Sequence, residues 1–192
     1  QYDQRGNLIS KTHYENGEKN GKSIKYFNSG SKKEITNYKN NKIYGLKISY
    51  FQNGNIKDSL SFVNDSASGN EVSYYKNGNI NSTCKYVSGK EEGIKLSFYE
   101  SGVKKDSCNY KKGNVIGESI KWFENGDLKY IAKYNEGKIN GTQVSYHKNG
   151  ELKRKDIFKE GEFIDGNCYT NQGKDTTFYD YIITASFPGG EE

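Results

Sequence analysis

Apolar and polar residues along the chain follow one pattern that recurs every 24 residues. The six repeats open with Gly21, Gly45, Gly69, Gly93, Gly117 and Gly141. Counting the opening glycine as position 0, position 3 is aliphatic and positions 5 and 17 are aromatic in every repeat. A strict period of this length is typical of repeat proteins, in which each copy is one supersecondary unit.

The apolar positions predict two β-strands in each repeat. Side chains on a strand alternate between the faces of a sheet, so positions that differ by two share a face. Positions 3, 5, 15 and 17 are all odd, and position 15 is mostly small or apolar, as with Cys84. We therefore expect the two strands to aim their apolar side chains toward the same face.

Two turns separate the strands. Positions 8 and 9 hold Asn-Gly or Ser-Gly, as in Asn77-Gly78, and positions 19 and 20 hold a second turn in which Asn or Asp can replace glycine. Asn-Gly between alternating runs is a strong hairpin signal, because the favoured two-residue turn needs a positive φ at its centre. The chain is predicted to form one elongated antiparallel meander of about 14 strands, a twisted ribbon roughly 65 Å long with almost no helix.

This pattern resembles the MORN repeat (membrane occupation and recognition nexus), and is most similar to a bacterial variant of antitoxin components. In the third repeat the residues that carry the resemblance are Gly69, Tyr74, Tyr75, Asn77, Gly78, Tyr86, Gly89, Lys90 and Gly93. The resemblance covers residues 1–166, as one partial and six full repeats. It implies an all-β array of hairpins that serves as a scaffold or interaction surface.

The pattern changes after the sixth repeat, where Gly166 follows Gly141 by 25 residues. Residues 167–177 are polar and predict a loop, and residues 178–187 (FYDYIITASF) predict a capping strand or strand pair. Residues 187–192 (FPGGEE) resemble the opening of the C-terminal domain of TonB-type energy transducers of Bacteroidota. That resemblance implies that residues 167–192 are a cap and a linker to a further domain. The alternative is a Pro-Gly-Gly turn that ends the fold.

Composition is consistent with a thin core. The chain of 192 residues is only 32% hydrophobic but 14% aromatic, and repeat proteins need to bury side chains only against their nearest neighbours. The formal charge is +5, with lysine scattered among acidic residues and only Arg5 and Arg154 as arginines. Scattered lysine indicates a solvated surface, and the scarcity of arginine disfavours bidentate phosphate recognition and hence nucleic acid.

The sequence indicates no catalytic, metal or cofactor site, and we expect no enzymatic activity. Cys84 and Cys108 hold equivalent positions in adjacent repeats, roughly 10 Å apart. This exceeds the Cα separation of about 7 Å that a disulfide allows, so free thiols are expected. His13 and His147 are the only histidines and neither has cysteine at ligand spacing. The glycines recur for turns and not as a phosphate loop.

A candidate partner-binding surface lies at position 6, which is even and therefore faces away from the odd positions. The candidate residues are Phe27, Phe51, Tyr75, Tyr99, Phe123 and His147. A repeated row of aromatic side chains suits a protein partner or a second copy of the chain. The alternative is that these side chains cover the opening glycines and flank the turns.

The sequence therefore favours a non-catalytic repeat scaffold that mediates protein–protein interaction in the bacterial cell envelope. We expect a periplasmic or outer-membrane-associated location, with an outer-membrane complex or transporter as the partner. Two alternatives stay open. One is a cytoplasmic antitoxin-like protein that neutralises a toxin. The other is a peripheral lipid-binding module, which the family name and the net positive charge suggest.

Overall fold

The computed structural model describes residues 1–170 and 175–176 of the chain. Every regular element in that part of the chain is a β-strand, and the strands form one open antiparallel sheet. The strands are β1 (Ser10–Glu15), β2 (Glu18–Tyr26), β3 (Lys32–Lys39), β4 (Lys42–Ile43), β5 (Gly45–Tyr50), β6 (Ile56–Val63), β7 (Ser66–Ala67), β8 (Gly69–Tyr74), β9 (Ile80–Val87), β10 (Lys90–Glu91), β11 (Gly93–Phe98), β12 (Lys104–Lys111), β13 (Asn114–Trp122), β14 (Leu128–Asn135), β15 (Lys138–Tyr146), β16 (Leu152–Lys159), β17 (Glu162–Tyr169) and β18 (Asp175–Thr176). The predicted all-β antiparallel fold is confirmed, whereas the predicted length and twist of the ribbon stay predictions.

The chain divides into two compact units. The first comprises Gln1–Gly102 with Tyr110–Gly113, and the second comprises Val103–Asn109 with the described residues from Asn114 onward. Consecutive strands pair as a meander from β1 to β11 in the first unit and from β13 to β18 in the second. The pairs β4/β5, β7/β8 and β10/β11 are single strands interrupted at one residue. Counting each such pair once reduces the 18 described strands to 15, close to the prediction.

The predicted loop at residues 167–177 is wrong in its described part. Strand β17 continues through Tyr169, because Asn167 and Cys168 still find partners in Lys155 and Arg154 of β16. The predicted capping strand at residues 178–187 and the FPGG segment lie outside the described residues.

The opening glycine of each repeat lies in a β-bulge. Between β1 and β2, Tyr14 pairs with Lys19 but Thr12 pairs with Ser23, so β2 holds two extra residues around Gly21. The φ angle of Gly21 is +94°. Only glycine adopts such a backbone conformation routinely, which explains why no other small residue opens a repeat.

The turn at positions 8 and 9 differs from the expected one. Gly78 has a φ of +93°, but Asn77 does not have a positive φ. Gly78 N–H donates to the Tyr75 carbonyl at 3.0 Å and Tyr75 N–H donates to the Asn79 carbonyl at 2.8 Å. This is a type I turn followed by a left-handed glycine. Asparagine serves here through its side chain, because Asn77 Oδ1 accepts the Asn79 N–H at 2.9 Å.

The turn at positions 19 and 20 is the two-residue turn with positive φ at both residues. In the first repeat Asn40 and Asn41 have φ angles of 50° and 64°, and in the third Ser88 and Gly89 have 50° and 79°. This geometry defines the type I′ turn. The prediction that Asn or Asp replaces glycine at this turn is confirmed.

Apolar side chains lie on both faces of the sheet, and the expectation that all odd positions share a face is wrong. Residues directly opposite each other on paired strands share a face. Position 3 pairs with position 14, as in Ile24 with Ile35, whereas position 15 pairs with position 2, as in Thr36 with Ser23. Each such pair joins an odd position to an even one, because the number of residues between the two partners is even. Odd positions of one strand therefore share a face with even positions of the next.

We call the two sides the aliphatic face (positions 1, 3, 14 and 16) and the polar face (positions 2, 4, 13, 15 and 17). On the polar face of each unit the most buried side chains are short. They are Ser23, Thr36 and Cys84 in the first unit and Ser119, Ala132 and Asp156 in the second, each 8% exposed or less.

Candidate interaction surfaces

The position-6 residues lie in the Asn-Gly turns, at the ends of the strands. All six predicted residues (Phe27, Phe51, Tyr75, Tyr99, Phe123 and His147) are half-buried. The Tyr75 hydroxyl donates to the Phe98 carbonyl at 2.7 Å, and His147 Nε2 lies 3.2 Å from the Tyr169 carbonyl oxygen. These contacts connect successive repeats. Partner binding at this row stays a prediction.

Asparagine side chains in the turns of the first unit also form hydrogen bonds between repeats. Asn55 Nδ2 donates to the Lys76 carbonyl and Asn79 Nδ2 donates to the Glu100 carbonyl, both at 2.9 Å. An open groove of about 410 Å³ lies beside these turns and is lined partly by Phe51. The hydrogen bonds leave the turn asparagines little free capacity for a partner.

Three lysines on the polar face of the first unit lie in ion pairs with glutamates. Glu34 accepts hydrogen bonds from Lys25 at 2.9 Å and Lys47 at 3.1 Å. Burial alone would raise the pKa of Glu34, but the hydrogen bonds from the two lysines hold its pKa below the ordinary value. Further along, Lys95 lies 3.6 Å from Glu91. Lys25, Lys47 and Lys95 are therefore each paired with a glutamate of the same unit.

Hydroxyl groups complete the polar face of this unit. Ser49 Oγ donates to Asp58 Oδ1 at 2.8 Å, and the hydroxyls of Ser73 and Ser82 lie 2.7 Å apart. Burial, with the negative charge of Glu71 and Glu91 beside it, raises the pKa of Tyr86 to about 12. Neutral tyrosine is thus favoured next to these carboxylates.

A buried carboxylate network occupies the polar face of the second unit. Asp156 is 1% exposed. Arg154 Nε donates to Asp156 Oδ1 at 2.8 Å, and Gln143 Nε2 donates to Oδ2 at 3.3 Å. The Tyr130 hydroxyl donates to Gln143 Oε1 at 3.1 Å. Burial, and next the hydrogen bond shared with the Tyr134 hydroxyl, raise the pKa of Tyr130.

The sequence analysis did not predict this network, because Asp156 is the exception at a position that is otherwise small or apolar. Two signals were present in the chain. Arg154 precedes Asp156 by two residues and so shares its face, and the displaced Gly166 pairs with Asp156 across the sheet. A side chain at Gly166 would overlap the Asp156 carboxylate.

A continuous row of side chains crosses the aliphatic face of the first unit. Direct partners from β2 to β11 form the row Ile24, Ile35, Ile48, Ser59, Val72, Thr83 and Leu96. All are half-buried. Beside the row, Leu46 is 44% exposed and Ile94 is 63% exposed. All described strands belong to the sheet itself, so no second layer of described strands is present to cover this face.

Lysines of the aliphatic face differ from those of the polar face in their ion pairing. Lys11, Lys22, Lys57 and Lys85 are exposed. In the described part of the chain none of them is in an ion pair. The two faces thus differ in chemistry: the polar face pairs three lysines with glutamates, and the aliphatic face offers apolar groups and lysines outside ion pairs.

The remaining predictions concern chemistry. Cys84, Cys108 and Cys168 are free thiols, which confirms the prediction for the first two. Within residues 1–170 and 175–176, no cluster of three or more His, Cys, Asp or Glu side chains could hold a metal ion. No helix in the described residues is long and apolar enough to cross a membrane. The absence of enzymatic activity stays a prediction.

Comparison with protein-family models identifies the MORN repeat variant at residues 19–40, 68–88, 91–112, 116–136 and 139–160. Repeats of this kind generally mediate interactions with proteins or membranes. A search among curated proteins found no match. The antitoxin-type and TonB-type resemblances find no support in these comparisons. The second repeat, which the family model does not match, has the same strand pairing in β5 and β6. Because the matches cover more than half of its length, the chain belongs to the MORN repeat variant family.

Proposed function

We propose that this protein is a non-catalytic scaffold that binds a protein partner through the aliphatic face of its first unit. The observation that supports this most is the difference between the two faces. The polar face pairs lysines with glutamates of the same unit, as in Lys25–Glu34, whereas the aliphatic face leaves Ile94 63% exposed beside a continuous aliphatic row. Exposed apolar rows of this kind are typical of interaction sites.

The magnitudes favour an extended interface. Complete burial of an aliphatic side chain contributes about 1.5–3 kcal/mol, so a half-exposed one offers roughly half of that. Association costs an estimated 4–15 kcal/mol in lost freedom of motion, which one or two such contacts cannot offset. A row that extends from Ile24 to Leu96 offers several contacts at once. The function therefore depends on the repetition, and a single repeat would bind poorly.

We further propose that the protein works in the bacterial cell envelope, periplasmic or outer-membrane associated. Its partner there would be an outer-membrane complex or transporter. This part rests on the resemblance of residues 187–192 to the opening of TonB-type domains. The antitoxin-like alternative rests on the resemblance to the antitoxin-type variant. The lipid-binding alternative rests on the free lysines of the aliphatic face and on the membrane role that some repeats of this family have.

Site-specific photo-cross-linking tests the proposal. Benzoyl-phenylalanine is placed singly at Leu46 and Ile94 on the aliphatic face, at Lys25 on the polar face, and at Gln52 in an Asn-Gly turn. After irradiation in cells of the source organism, we expect discrete protein adducts from the first two positions, recovered with the envelope fraction. Lys25 and Gln52 serve as matched controls and should give none.

Other patterns of cross-linked adducts would favour other binding sites or partners. Adducts from Gln52 alone would move the binding site to the position-6 row. Adducts with one small cytoplasmic protein would favour the antitoxin-like alternative, and adducts with lipid alone would favour the lipid-binding one. If neither Leu46 nor Ile94 yields a protein adduct, the proposal is refuted.

A further inference from the structure

Exposed lysines border the aliphatic row of the first unit on both sides. Lys22 and Lys85 lie in the adjacent row at positions 1 and 16, where they pair with Asn37 and Asn70. Lys57 lies on the opposite side of the aliphatic row, next to the irregularity between β5 and β6. The aliphatic row is therefore flanked by positive charge.

Acidic groups on the same face do not neutralise these lysines. Glu15 faces His13, with 3.4 Å between His13 Nε2 and Glu15 Oε1, and Glu92 accepts the backbone N–H of Lys112 at 2.9 Å. A third acidic residue of this face, Glu18, lies beside the first type I′ turn, where it pairs with Glu15. The ion pairs that lysines of this unit do make involve Lys25, Lys47 and Lys95, all on the polar face.

We infer that the aliphatic face of the first unit binds an acidic polypeptide segment that carries apolar side chains. The inference rests on the proposed scaffold function and specifies the partner's chemistry. Apolar side chains of the partner would pack on the aliphatic row, and its carboxylates would face the flanking lysines. Complementary charge of this kind chiefly selects the partner and speeds association, while the apolar contacts supply affinity.

Two features favour a polypeptide over a membrane surface. The row alternates aliphatic residues with Ser59 and Thr83, and its members are half-buried among their neighbours. A surface that inserts into lipid needs large apolar groups that project beyond the headgroups. The flanking cations are lysines, and lysine lacks the planar fork with which arginine recognises phosphate.

Fluorescence anisotropy with synthetic peptides tests the inference on the full chain. The probes are a peptide of alternating glutamate and leucine blocks, the same peptide with serine for leucine, and the same peptide with lysine for glutamate. Vesicles of phosphatidylcholine with phosphatidylglycerol form a fourth arm. We expect the Glu/Leu peptide to bind at least about tenfold tighter than the other two, with affinity that falls as salt rises.

Charge-reversal variants locate the binding surface. Lys22→Glu/Lys57→Glu/Lys85→Glu should weaken binding of the Glu/Leu peptide by at least about tenfold. The control is Lys76→Glu/Lys112→Glu/Lys148→Glu, which changes the net charge equally from turn positions. Glutamate occupies the same turn positions in other repeats, at Glu100, Glu124 and Glu136. The control should change affinity by no more than about threefold, and circular dichroism should show that both variants are folded.

The apolar contribution is tested separately. Leu46→Asn/Ile94→Asn should weaken binding of the Glu/Leu peptide and leave binding of the Glu/Ser peptide unchanged. The fold should tolerate asparagine at these two sites, since Asn70 already holds the equivalent position in the third repeat. Equal losses in both lysine variants would overturn the inference, because net charge alone would explain them. Binding to the vesicles without binding to the Glu/Leu peptide would overturn it in favour of lipid. Protein adducts from Ile94 without acidic-peptide binding would overturn it while leaving the scaffold function intact.

Discussion

Replacing Gly166 with alanine tests how the last described repeat is packed. Gly166 pairs directly with Asp156 across β16 and β17. A Cβ on Gly166 would overlap Asp156 Oδ1 and lie 3.1 Å from the Lys155 carbonyl oxygen. Asp156 is 1% exposed and bound by Arg154, so its carboxylate has no free space to enter. Gly166→Ala must therefore disturb the Arg154–Asp156 pair or displace β17.

The cost follows from these contacts. Overpacking a filled site costs about 1–3 kcal/mol, and breaking a buried ion pair costs about 3–5 kcal/mol. Arg154 is 28% exposed and can regain water, so we expect Gly166→Ala to cost about 2–3 kcal/mol. In an Asp156→Ala background the overlap with the carboxylate is absent, and the same change should cost less than about 1 kcal/mol. Alanine should fit at residue 156, because Ala132 holds the equivalent position in the preceding repeat.

A double-mutant cycle measures the difference. The four proteins are unfolded in urea and followed by the fluorescence of Trp122, the single tryptophan, which lies in the second unit. We expect a coupling free energy of about 1.5–2 kcal/mol between the two sites, within the range for residues in contact. Asn167→Ala is the matched control, since Asn167 is the exposed neighbour of Gly166 on β17. Additive costs, or a Gly166→Ala cost no larger than that of the control, would refute the packing argument.

Two further changes test the first unit. Glu34→Gln should lower stability at neutral pH. The folded-state pKa of Glu34 lies below its ordinary 4.5, so its ion pairs contribute above that value and fade as pH falls through the lower one. The urea midpoints of the two proteins should converge as the pH falls below 4.5, and a constant gap would contradict this. Tyr75→Phe should cost about 1 kcal/mol by removing the bond to the Phe98 carbonyl; an unchanged midpoint with weaker partner capture would instead favour binding at position 6.

The sequence alone determined the strands, their order and the turns between them. Each repeat carries its own signals, such as the left-handed Gly78 and the paired Asn40 and Asn41, and such signals act within a few residues. A residue-by-residue pattern therefore predicts a meander of hairpins without knowledge of any distant contact. The bulges at the opening glycines were not predicted, although only glycine adopts φ angles such as that of Gly21 at low cost.

Only the tertiary structure decided which side chains share a face. The face of a residue depends on the register across the turn, and one bulge residue reverses it. For this reason Ile24 and Thr36, both at odd positions, lie on opposite faces. The sequence pattern does not distinguish Lys22 from Lys25. The register places Lys25 against Glu34 and leaves Lys22 beside the aliphatic row. Charge pairing and open surface are properties of that register, because they depend on neighbours that are distant in the chain.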